Sequence, residues 1–284
     1  MCRRAYDGRR GRGMKVGFIG LGSQGGPMAR RIVDGGYETT LWARRPATLE
    51  AFADTSAKMA ESPAELAAAS DLVCLCVVGD ADIDELACGE NGLLSAMKPG
   101  SVIAVHSTVH PNTCRELANK AASQGVSVID APVSGGGSAA AERRLLVMVG
   151  GDTDVVERCR PVFETYADPV VHLGELGSGQ TTKLLNNLLF TANLATAATA
   201  LSLAEALGVE PDRLTEVISR SSGNSFALNA LGGIGGLGRL AGVAGGLLQK
   251  DVRLVVDLAD RAGANGGAVL DAADAALALM NHPR

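Results

Sequence analysis

The chain has 284 residues, 46% of them hydrophobic, which is enough apolar material to bury one large core or two smaller ones and excludes a largely disordered chain. Its formal net charge is −5, although five arginines and one aspartate fall within the first thirteen residues, so the remainder is more acidic than the total indicates. An acidic body is not expected to bind nucleic acid.

The N-terminal segment lacks the apolar stretch of a secretory signal, and we interpret residues 1–13 as a disordered basic leader, with Met14 as an alternative start of translation. No apolar run in the sequence approaches the roughly eighteen residues that span a bilayer. We therefore expect a cytoplasmic protein with no membrane partner.

From Met14 to about Leu173, short runs rich in Val and Ile alternate with longer amphipathic stretches, a pattern typical of repeated βαβ units. The predicted strands are KVGFIG (15–20), ETTLWA (38–43), LVCLCVV (72–78), SVIAVHS (101–107), VSVIDAP (126–132), RLLVMVGG (144–151) and PVVHLG (169–174). The predicted helices between them begin near Gly25, Thr48, Pro63, Pro111 and Asp154. This α/β pattern predicts a Rossmann-type, doubly wound parallel sheet domain over residues 14–176.

The alternation of strands and helices stops after Gly179. The next stretch runs for more than twenty residues without Gly or Pro, which predicts one long helix that ends before Gly208. Leu and Ala occupy nearly every face of it, so other helices or a second subunit must cover it. Pro211 begins another helix. The glycine-rich stretch from Gly232 to Gly246 is expected to be irregular or mobile, and two further helices close the chain. Residues 177–284 are thus predicted to form an all-helical domain that begins with a long interdomain helix.

The six cysteines lack paired metal-ligand spacing, so we expect free thiols and no metal site. Cys74 and Cys76 would point to the same side of a strand. There they either pack in the core or form a redox pair.

A glycine-rich turn links the first predicted strand to the first helix. Its first glycine permits a tight turn, the second lets the backbone approach a pyrophosphate, and the third lets helix and strand pack closely. Backbone N–H groups at the helix N-terminus then face the anion. The turn predicts dinucleotide binding, with a purely structural turn as the alternative. The residues assigned to the cofactor here are Gly20, Leu21, Gly22, Ser23, Gln24 and Gly25.

The second predicted strand ends in Arg44 and Arg45 with no carboxylate beside them. An acidic side chain at this point would bind the ribose 2′-hydroxyl of NAD, whereas guanidiniums bind the extra phosphate of NADP. We expect NADP as the cofactor. If the arginines belong to a solvated turn, NAD is acceptable too.

Four ordered motifs together are more specific than any one alone: GLGSQGGPMA (20–29), HSTVHP (106–111), DAPVSGGGSAA (130–140) and GSGQTTKLLNN (177–187). A weaker fifth is Lys250-Asp251. In this order they resemble the β-hydroxyacid dehydrogenase family, which includes 3-hydroxyisobutyrate dehydrogenase and tartronate semialdehyde reductase. The resemblance extends to about Asp257. It implies a Rossmann domain joined by a long helix to a helical domain, with substrate between them and dimers or tetramers packing through the helical domain.

The resemblance also implies roles for single residues. Lys183 matches the catalytic acid/base and Asn187 the residue that orients the substrate. The carboxylate end of the substrate is assigned to Ser134, Gly135 and Gly136. The cofactor set is completed by Val77, Val78, Thr108 and Lys250, while His106 and His110, which match no family role, are expected to be structural or exposed.

The chemistry of the residues supports these roles independently. Lys183 and Asn187 are four apart, so on a helix their side chains share one face. A lysine ammonium can donate the proton that a carbonyl needs as hydride arrives, and its neutral amine can accept the hydroxyl proton in reverse. No metal is required, because the cofactor carries the hydride. The alternative for Lys183 is a solvated surface lysine.

The sequence therefore predicts an NADP-dependent oxidoreductase that transfers a hydride between nicotinamide and a small β-hydroxy acid or its semialdehyde or keto partner. The alternatives are an imine reductase, a class that usually lacks the lysine, and a non-catalytic NADP-binding scaffold. Three features depart from the family pattern. The basic leader before Met14 has no counterpart in the family. Gln24 replaces a usual Met, and the stretch from Gly232 to Gly246 replaces bulkier residues that face the substrate, so the substrate is left open.

Overall fold

The structure is a computed structural model that describes residues 13–284. The predictions for residues 1–12, which include nearly all of the leader and Cys2, lie outside the described residues. The chain forms two compact units that divide between Lys183 and Leu184, somewhat later than the boundary predicted after residue 176.

The first unit is organised around a parallel sheet. Its strands are β1 (Val16–Ile19), β2 (Thr39–Trp42), β3 (Lys58–Met59), β4 (Leu72–Leu75), β5 (Val102–Val105) and β6 (Ser127–Asp130). They are arranged in the order β3-β2-β1-β4-β5-β6, the strand order of a Rossmann fold. This confirms the predicted doubly wound sheet.

The central strands are buried on both faces, as parallel strands between two helical layers are. In β4, Leu72 and Cys74 pack in one hydrophobic cluster, while Val73 and Leu75 pack in the other. The alternation follows from the two-residue period of a strand. Phe18 in β1 pairs with Cys74 across the ladder, which places both in the same cluster.

Six helices accompany the strands of the first unit among the described residues: α1 (Gly25–Asp34), α2 (Pro63–Ala68), α3 (Asp80–Cys88), α4 (Pro111–Ala122), α5 (Gly136–Ala141) and α6 (Thr153–Phe163). The predicted starts near Gly25, Pro63, Pro111 and Asp154 are confirmed, and the start near Thr48 belongs to a 3₁₀ helix, Pro46–Phe52. Helices α3 and α5 were not predicted, because α3 is short and acidic and α5 consists of Gly, Ser and Ala.

A separate small sheet contains β7 (Val133–Ser134), β8 (Leu145–Val149) and β9 (Ala167–His172). The expectation that the last two predicted strands continue the parallel sheet was wrong. β7 and β8 are antiparallel, and β8 and β9 are parallel. The chain leaves the large sheet at Pro132, which has no N–H to donate, and turns at Gly135 and Gly136, both of which have positive φ.

The second unit is helical. Its helices are α7 (Ser178–Ala206), which begins in the first unit, α8 (Pro211–Ile218), α9 (Phe226–Ile234), α10 (Leu237–Ala262) and α11 (Gly267–Leu279). The single long helix and the helix starting at Pro211 are confirmed. α7 buries Leu184, Leu188 and Ala192 in a hydrophobic cluster that also contains side chains of α9, α10 and α11.

The expected irregularity of the stretch from Gly232 to Gly246 was wrong. Only Gly235 and Gly236, with φ of 83° and 103°, interrupt the helices, and the rest of the stretch lies in α9 and α10. Packing overrides the low helix propensity of glycine, because Leu240 is buried and Gly245 lies against the ring of His282. A Cβ on Gly245 would come within 2.3 Å of that ring.

α7 is long and apolar enough, by length and composition, to cross a membrane, with a window of mean hydropathy 1.3. No apolar run of this length was expected from the sequence. The threonines and asparagines of α7 interrupt its apolar residues, although the mean hydropathy of the window remains high. α9 and α10 pass the same test together, although they are bent by 116°. Core helices of compact proteins also meet this criterion, and 33% of the α7 window is buried.

Candidate active site

The predicted cofactor residues of the first unit lie at one edge of the parallel sheet. Residues 20–25 follow β1, Arg44 and Arg45 follow β2, Val77 and Val78 follow β4, and Thr108 follows β5. The carboxyl ends of parallel strands meet at the same edge, and the strand order reverses between β1 and β4. Open α/β sheets bind ligands at such a switch point.

The glycine turn after β1 has the geometry that its spacing predicts. Gly20 has φ of 99°, and a Cβ there would lie 2.0 Å from the carbonyl oxygen of Cys76. A Cβ on Gly25 would lie 1.9 Å from the carbonyl oxygen of Gly20, whereas one on Gly22 would have no described heavy atom within 4 Å. The outer glycines are therefore needed for the turn itself, and Gly22 leaves open space for a ligand.

The N-terminus of α1 is suited to an anion. Its N-cap residue Gln24 makes no side-chain cap bond, and its amide Nε2 instead lies 3.6 Å from Sδ of Met28. The described first turn of α1 contains no acidic residue. Backbone N–H groups and the positive end of the helix dipole thus face the glycine turn without a competing carboxylate, which fits the pyrophosphate of a dinucleotide.

The arginines after β2 have neighbours that the sequence did not predict. The guanidinium Nη2 of Arg44 donates to Oδ1 of Asp82 at 3.2 Å and to Oε2 of Glu85 at 3.0 Å. Both carboxylates belong to α3, while Arg45 is exposed. Sequence reasoning missed them because it did not predict α3.

The loop after β5 is held by a buried glutamine. The side chain of Gln180 donates from Nε2 to the carbonyl oxygen of Ser107 at 2.7 Å and accepts the Val109 N–H at 3.1 Å. Gln180 therefore fixes the peptide groups on both sides of Thr108. The Ser107 hydroxyl in turn accepts the N–H of Val77 at 2.7 Å, which joins this loop to the end of β4.

A buried carboxylate anchors the start of α7. Asp130, at the end of β6, accepts the N–H of Gly177 and the N–H of Gln180, both at 2.6 Å. Burial raises the pKa of Asp130, and the two backbone donors oppose that rise. Gly150 and Gly179 leave room for the carboxylate, because a Cβ on either would lie within 2.8 Å of its oxygens. Asp130 thus fixes the turn of helix that precedes Lys183.

The predicted acid-binding turn packs against the glycine turn. Gly135 and Gly136 are exposed with φ of 129° and 78°, and Ser134 is half-buried. A Cβ on Gly137 would lie 2.2 Å from the carbonyl oxygen of Ser23. The structure therefore brings the predicted substrate residues Ser134 to Gly136 beside the predicted cofactor residues.

The remaining predicted residues lie on helices. Lys183, half-buried on α7, is the last residue of the first unit. In the second unit, Asn187 donates from Nδ2 to Oδ2 of Asp251 at 2.6 Å, and Nζ of Lys250 lies 2.8 Å from Oδ1 of the same carboxylate. Asp251 is buried and was quoted only as part of a motif, so sequence reasoning missed its position between two site residues.

His106 and His110 have structural contacts in the first unit. Nδ1 of His106 lies 2.6 Å from the carbonyl oxygen of Ala131, which can only accept, so Nε2 is left to accept the Tyr166 hydroxyl at 3.2 Å. Burial lowers the pKa of His106 to about 4. His110 caps α4 by accepting the N–H of Asn112 at 3.0 Å.

The described cysteines are free thiols. Burial raises the pKa of Cys74 well above its usual value and that of Cys76 to about 12. Thiols that resist ionisation are poor redox nucleophiles, so core packing explains this pair. Within residues 13–284, no group of three or more His, Cys, Asp or Glu side chains is arranged to hold a metal ion.

Two family models match the chain. Residues 15–174 match the NAD binding domain of 6-phosphogluconate dehydrogenase, and residues 177–281 match the NAD-binding domain of NADP-dependent 3-hydroxyisobutyrate dehydrogenase. A similar curated protein is 2-(hydroxymethyl)glutarate dehydrogenase from Eubacterium barkeri, which is 36% identical over 217 residues, 76% of this chain and 72% of that protein.

Solved structures of related proteins are also similar to this chain. 3-Hydroxyisobutyrate dehydrogenase from Mycobacterium tuberculosis with L-serine is 29% identical, with a TM-score of 0.81 and 94% of each chain covered. Psf3 in complex with NADP⁺ and 2-OPP is 26% identical, with a TM-score of 0.82, covering 94% of this chain and 93% of that one. An imine reductase from Pseudomonas sp., 19% identical with a TM-score of 0.65 over 94% of this chain and 92% of its own, shares the fold alone.

Proposed function

The chain belongs to the β-hydroxyacid dehydrogenase family, and from this premise we propose that it prefers NADP and oxidises or forms a small β-hydroxy acid with Lys183 as general acid/base. Dehydrogenases of this family act on hydroxy acids with NAD or NADP. One observation carries the proposal furthest. The turn at residues 134–137 packs directly on the glycine turn at Ser23, so the turn that we propose binds the acid adjoins the turn that we propose binds the dinucleotide.

The chain's own residues can supply every group other than the hydride carrier. The nicotinamide, when bound, gives or takes the hydride. In reduction the Lys183 ammonium donates a proton to the carbonyl oxygen, and in oxidation its neutral amine accepts the hydroxyl proton. Asn187 orients the substrate hydroxyl through its amide, which Asp251 holds in place. Ser134, Gly135 and Gly136 bind the substrate carboxylate.

The names of some similar proteins support a substrate class. 2-(Hydroxymethyl)glutarate, 3-hydroxyisobutyrate and L-serine each carry a hydroxymethyl group on the carbon next to a carboxylate. We propose the same unit for the substrate of this chain. Oxidation then gives the corresponding semialdehyde, and the reverse reaction reduces it.

Arg44 and Arg45 support the NADP preference. Both are exposed at the end of β2, where the ribose 2′-phosphate of a Rossmann-bound NADP lies. A guanidinium makes charge-assisted, bidentate bonds to a phosphate, and in NAD it would have no anionic partner there. NAD is the alternative cofactor.

The proposed assembly is a homodimer or homotetramer in the cytoplasm, with a small carboxylic acid as ligand and no nucleic acid or membrane partner. Large hydrophobic side chains are exposed on the second unit, at Leu185, Leu189, Leu203, Leu207, Val217, Phe226, Val243 and Leu247. Exposed apolar side chains in such number favour burial by a second copy. Light scattering after gel filtration tests this, and a monomer at micromolar concentration would contradict it.

The proposed activity is tested by turnover of a panel of hydroxymethyl acids and their semialdehydes with NADP(H) and NAD(H). Lys183→Ala should lower turnover by a factor of at least about 100 while leaving NADPH binding intact, and the surface variant Lys120→Ala should retain both. NADPH binding without turnover of any acid by the wild type would favour imine reduction, or a non-catalytic scaffold if imines are also inert.

A further inference from the structure

Two carboxylates, those of Asp82 and Glu85, bind the arginine that we propose binds the 2′-phosphate of NADP. Asp82 and Glu85 are three residues apart on α3, so they lie on one side of that helix. Both contact the same guanidinium nitrogen, Nη2 of Arg44. The Arg44 side chain is 60% exposed, so it can exchange these partners for another anion.

The charge balance around Arg44 is close to neutral. Arg44 and Arg45 contribute two positive charges, and Asp82 and Glu85 contribute two negative ones. A phosphate that binds Arg44 must displace carboxylates from it and then lie near them, and like charges a few ångströms apart repel even at an exposed site. NAD has no charge at this position and avoids both costs.

A second ion pair on the same helix serves as a comparison. Asp84, also on α3, binds Nζ of Lys120 on α4 at 2.7 Å rather than Arg44. It carries the same charge, and its side chain is 65% exposed, close to the 68% of Glu85 and well above the 24% of Asp82. Asp84 therefore separates an effect specific to Arg44 from a general effect of acidic residues on α3.

We propose that Asp82 and Glu85 are specificity-determining residues, which compete with the 2′-phosphate for Arg44 and so lower the selectivity for NADP over NAD. The inference rests on the proposed function, because it takes Arg44 as the phosphate-binding residue. The chain then uses the two cofactors more evenly than its pair of arginines alone would predict.

Trp42 is a natural reporter for the test. It is the single tryptophan of the chain and ends β2, two residues before Arg44. Its fluorescence, checked by calorimetry, gives dissociation constants for NADP⁺ and NAD⁺ without any turnover. The variants are Asp82→Asn/Glu85→Gln, the matched control Asp84→Asn, and Arg44→Gln.

The double variant should bind NADP⁺ about three- to tenfold more tightly than wild type, with a larger gain at low salt, because exposed ion pairs contribute modestly and are screened. NAD⁺ binding should stay within about twofold, Asp84→Asn should match wild type for both cofactors, and the gain should shrink in the Arg44→Gln background. Unchanged or weaker NADP⁺ binding by the double variant would overturn the inference.

The Arg44→Gln variant distinguishes two claims, the binding of the 2′-phosphate by Arg44 and the competition of the two carboxylates for that arginine. If it weakens NADP⁺ binding and the double variant gives no gain, only the competition is refuted. If it leaves NADP⁺ binding unchanged, the placement of the phosphate at Arg44 fails and the inference falls with it, whereas the wild-type dissociation constants for NADP⁺ and NAD⁺ decide the NADP preference itself.

Discussion

Replacing Gln180 by Leu should destabilise the first unit strongly. The side chain makes two hydrogen bonds, to the carbonyl oxygen of Ser107 at 2.7 Å and from the N–H of Val109 at 3.1 Å, and all three residues are buried. Leucine fills a similar volume but leaves both backbone groups without these partners. Each unsatisfied buried group costs about 1–3 kcal/mol, so the loss of two partners should lower the free energy of unfolding by about 2–6 kcal/mol.

The same substitution should also affect cofactor binding. The two bonds hold the peptide groups on either side of Thr108, which we propose contacts the cofactor. We therefore expect the KM for the cofactor to rise more than kcat falls. Urea unfolding followed by circular dichroism measures the first effect, and initial rates at varied cofactor concentration measure the second.

Two further variants make this prediction refutable. Gln124→Leu, at an exposed position in the same unit, should leave both measurements unchanged. Gln180→Glu should recover part of the loss as pH falls, because a protonated carboxyl can donate to Ser107 as the amide does. If Gln180→Leu unfolds at the wild-type urea concentration, the glutamine does not hold this loop and the reasoning is wrong.

Three further substitutions have defined outcomes. The pKa of buried His106 is lowered from 6.5 to about 4, so the unfolded chain binds the proton first, and stability present above pH 6.5 should be lost as pH falls toward 4, by about 3 kcal/mol in total. Between pH 7.5 and 4.5, the unfolding midpoint of His106→Gln should depend less steeply on pH than that of the wild type. An equally steep dependence would show that His106 does not cause the loss of stability. Gly245→Ala should lower the Tm, since its Cβ meets His282, by an amount corresponding to about 1–3 kcal/mol, whereas Gly246→Ala, with open space, should not lower it. Gly22→Ala should fold normally but bind NADP⁺ at least tenfold more weakly by titration, and unaltered binding would remove the turn from the cofactor site.

Local sequence patterns predicted the parts of the fold that depend on local chemistry. The seven predicted strands were apolar runs, and all of them form strands. The glycine turn could be assigned because its spacing reflects steric needs, which the close approaches at Gly20 and Gly25 bear out. The long helix α7 followed from a run without Gly or Pro.

Elements whose formation depends on packing could not be predicted this way. The glycine-rich start of α10 is helical because its leucines enter the core and Gly245 admits His282, and neither contact is visible in the local sequence. α3 carries four acidic residues in nine, which conceals its buried apolar face of Ile83, Leu86 and Ala87.

The polar contacts that organise the candidate site are long-range. Asp130 and Gln180 bind groups 47 to 73 positions away, and Asn187 binds Asp251 across 64 positions. The sequence shows that a polar residue stands inside an apolar segment, but its partner is set by the topology of the sheet and helices. The side chains with proposed chemical roles could therefore be predicted from the sequence. The side chains that fix the site by long-range hydrogen bonds could not.

The central claim is that Lys183 moves the proton of a hydroxy acid while NADP carries the hydride. The most direct test is the NADP⁺-dependent oxidation of a hydroxymethyl acid such as 3-hydroxyisobutyrate by wild type and Lys183→Ala, with NADPH affinity measured for both. We predict turnover by the wild type, a decrease in turnover by a factor of at least about 100 in the variant, and equal NADPH affinity of the two proteins. Equal turnover by the two proteins would contradict the role of Lys183.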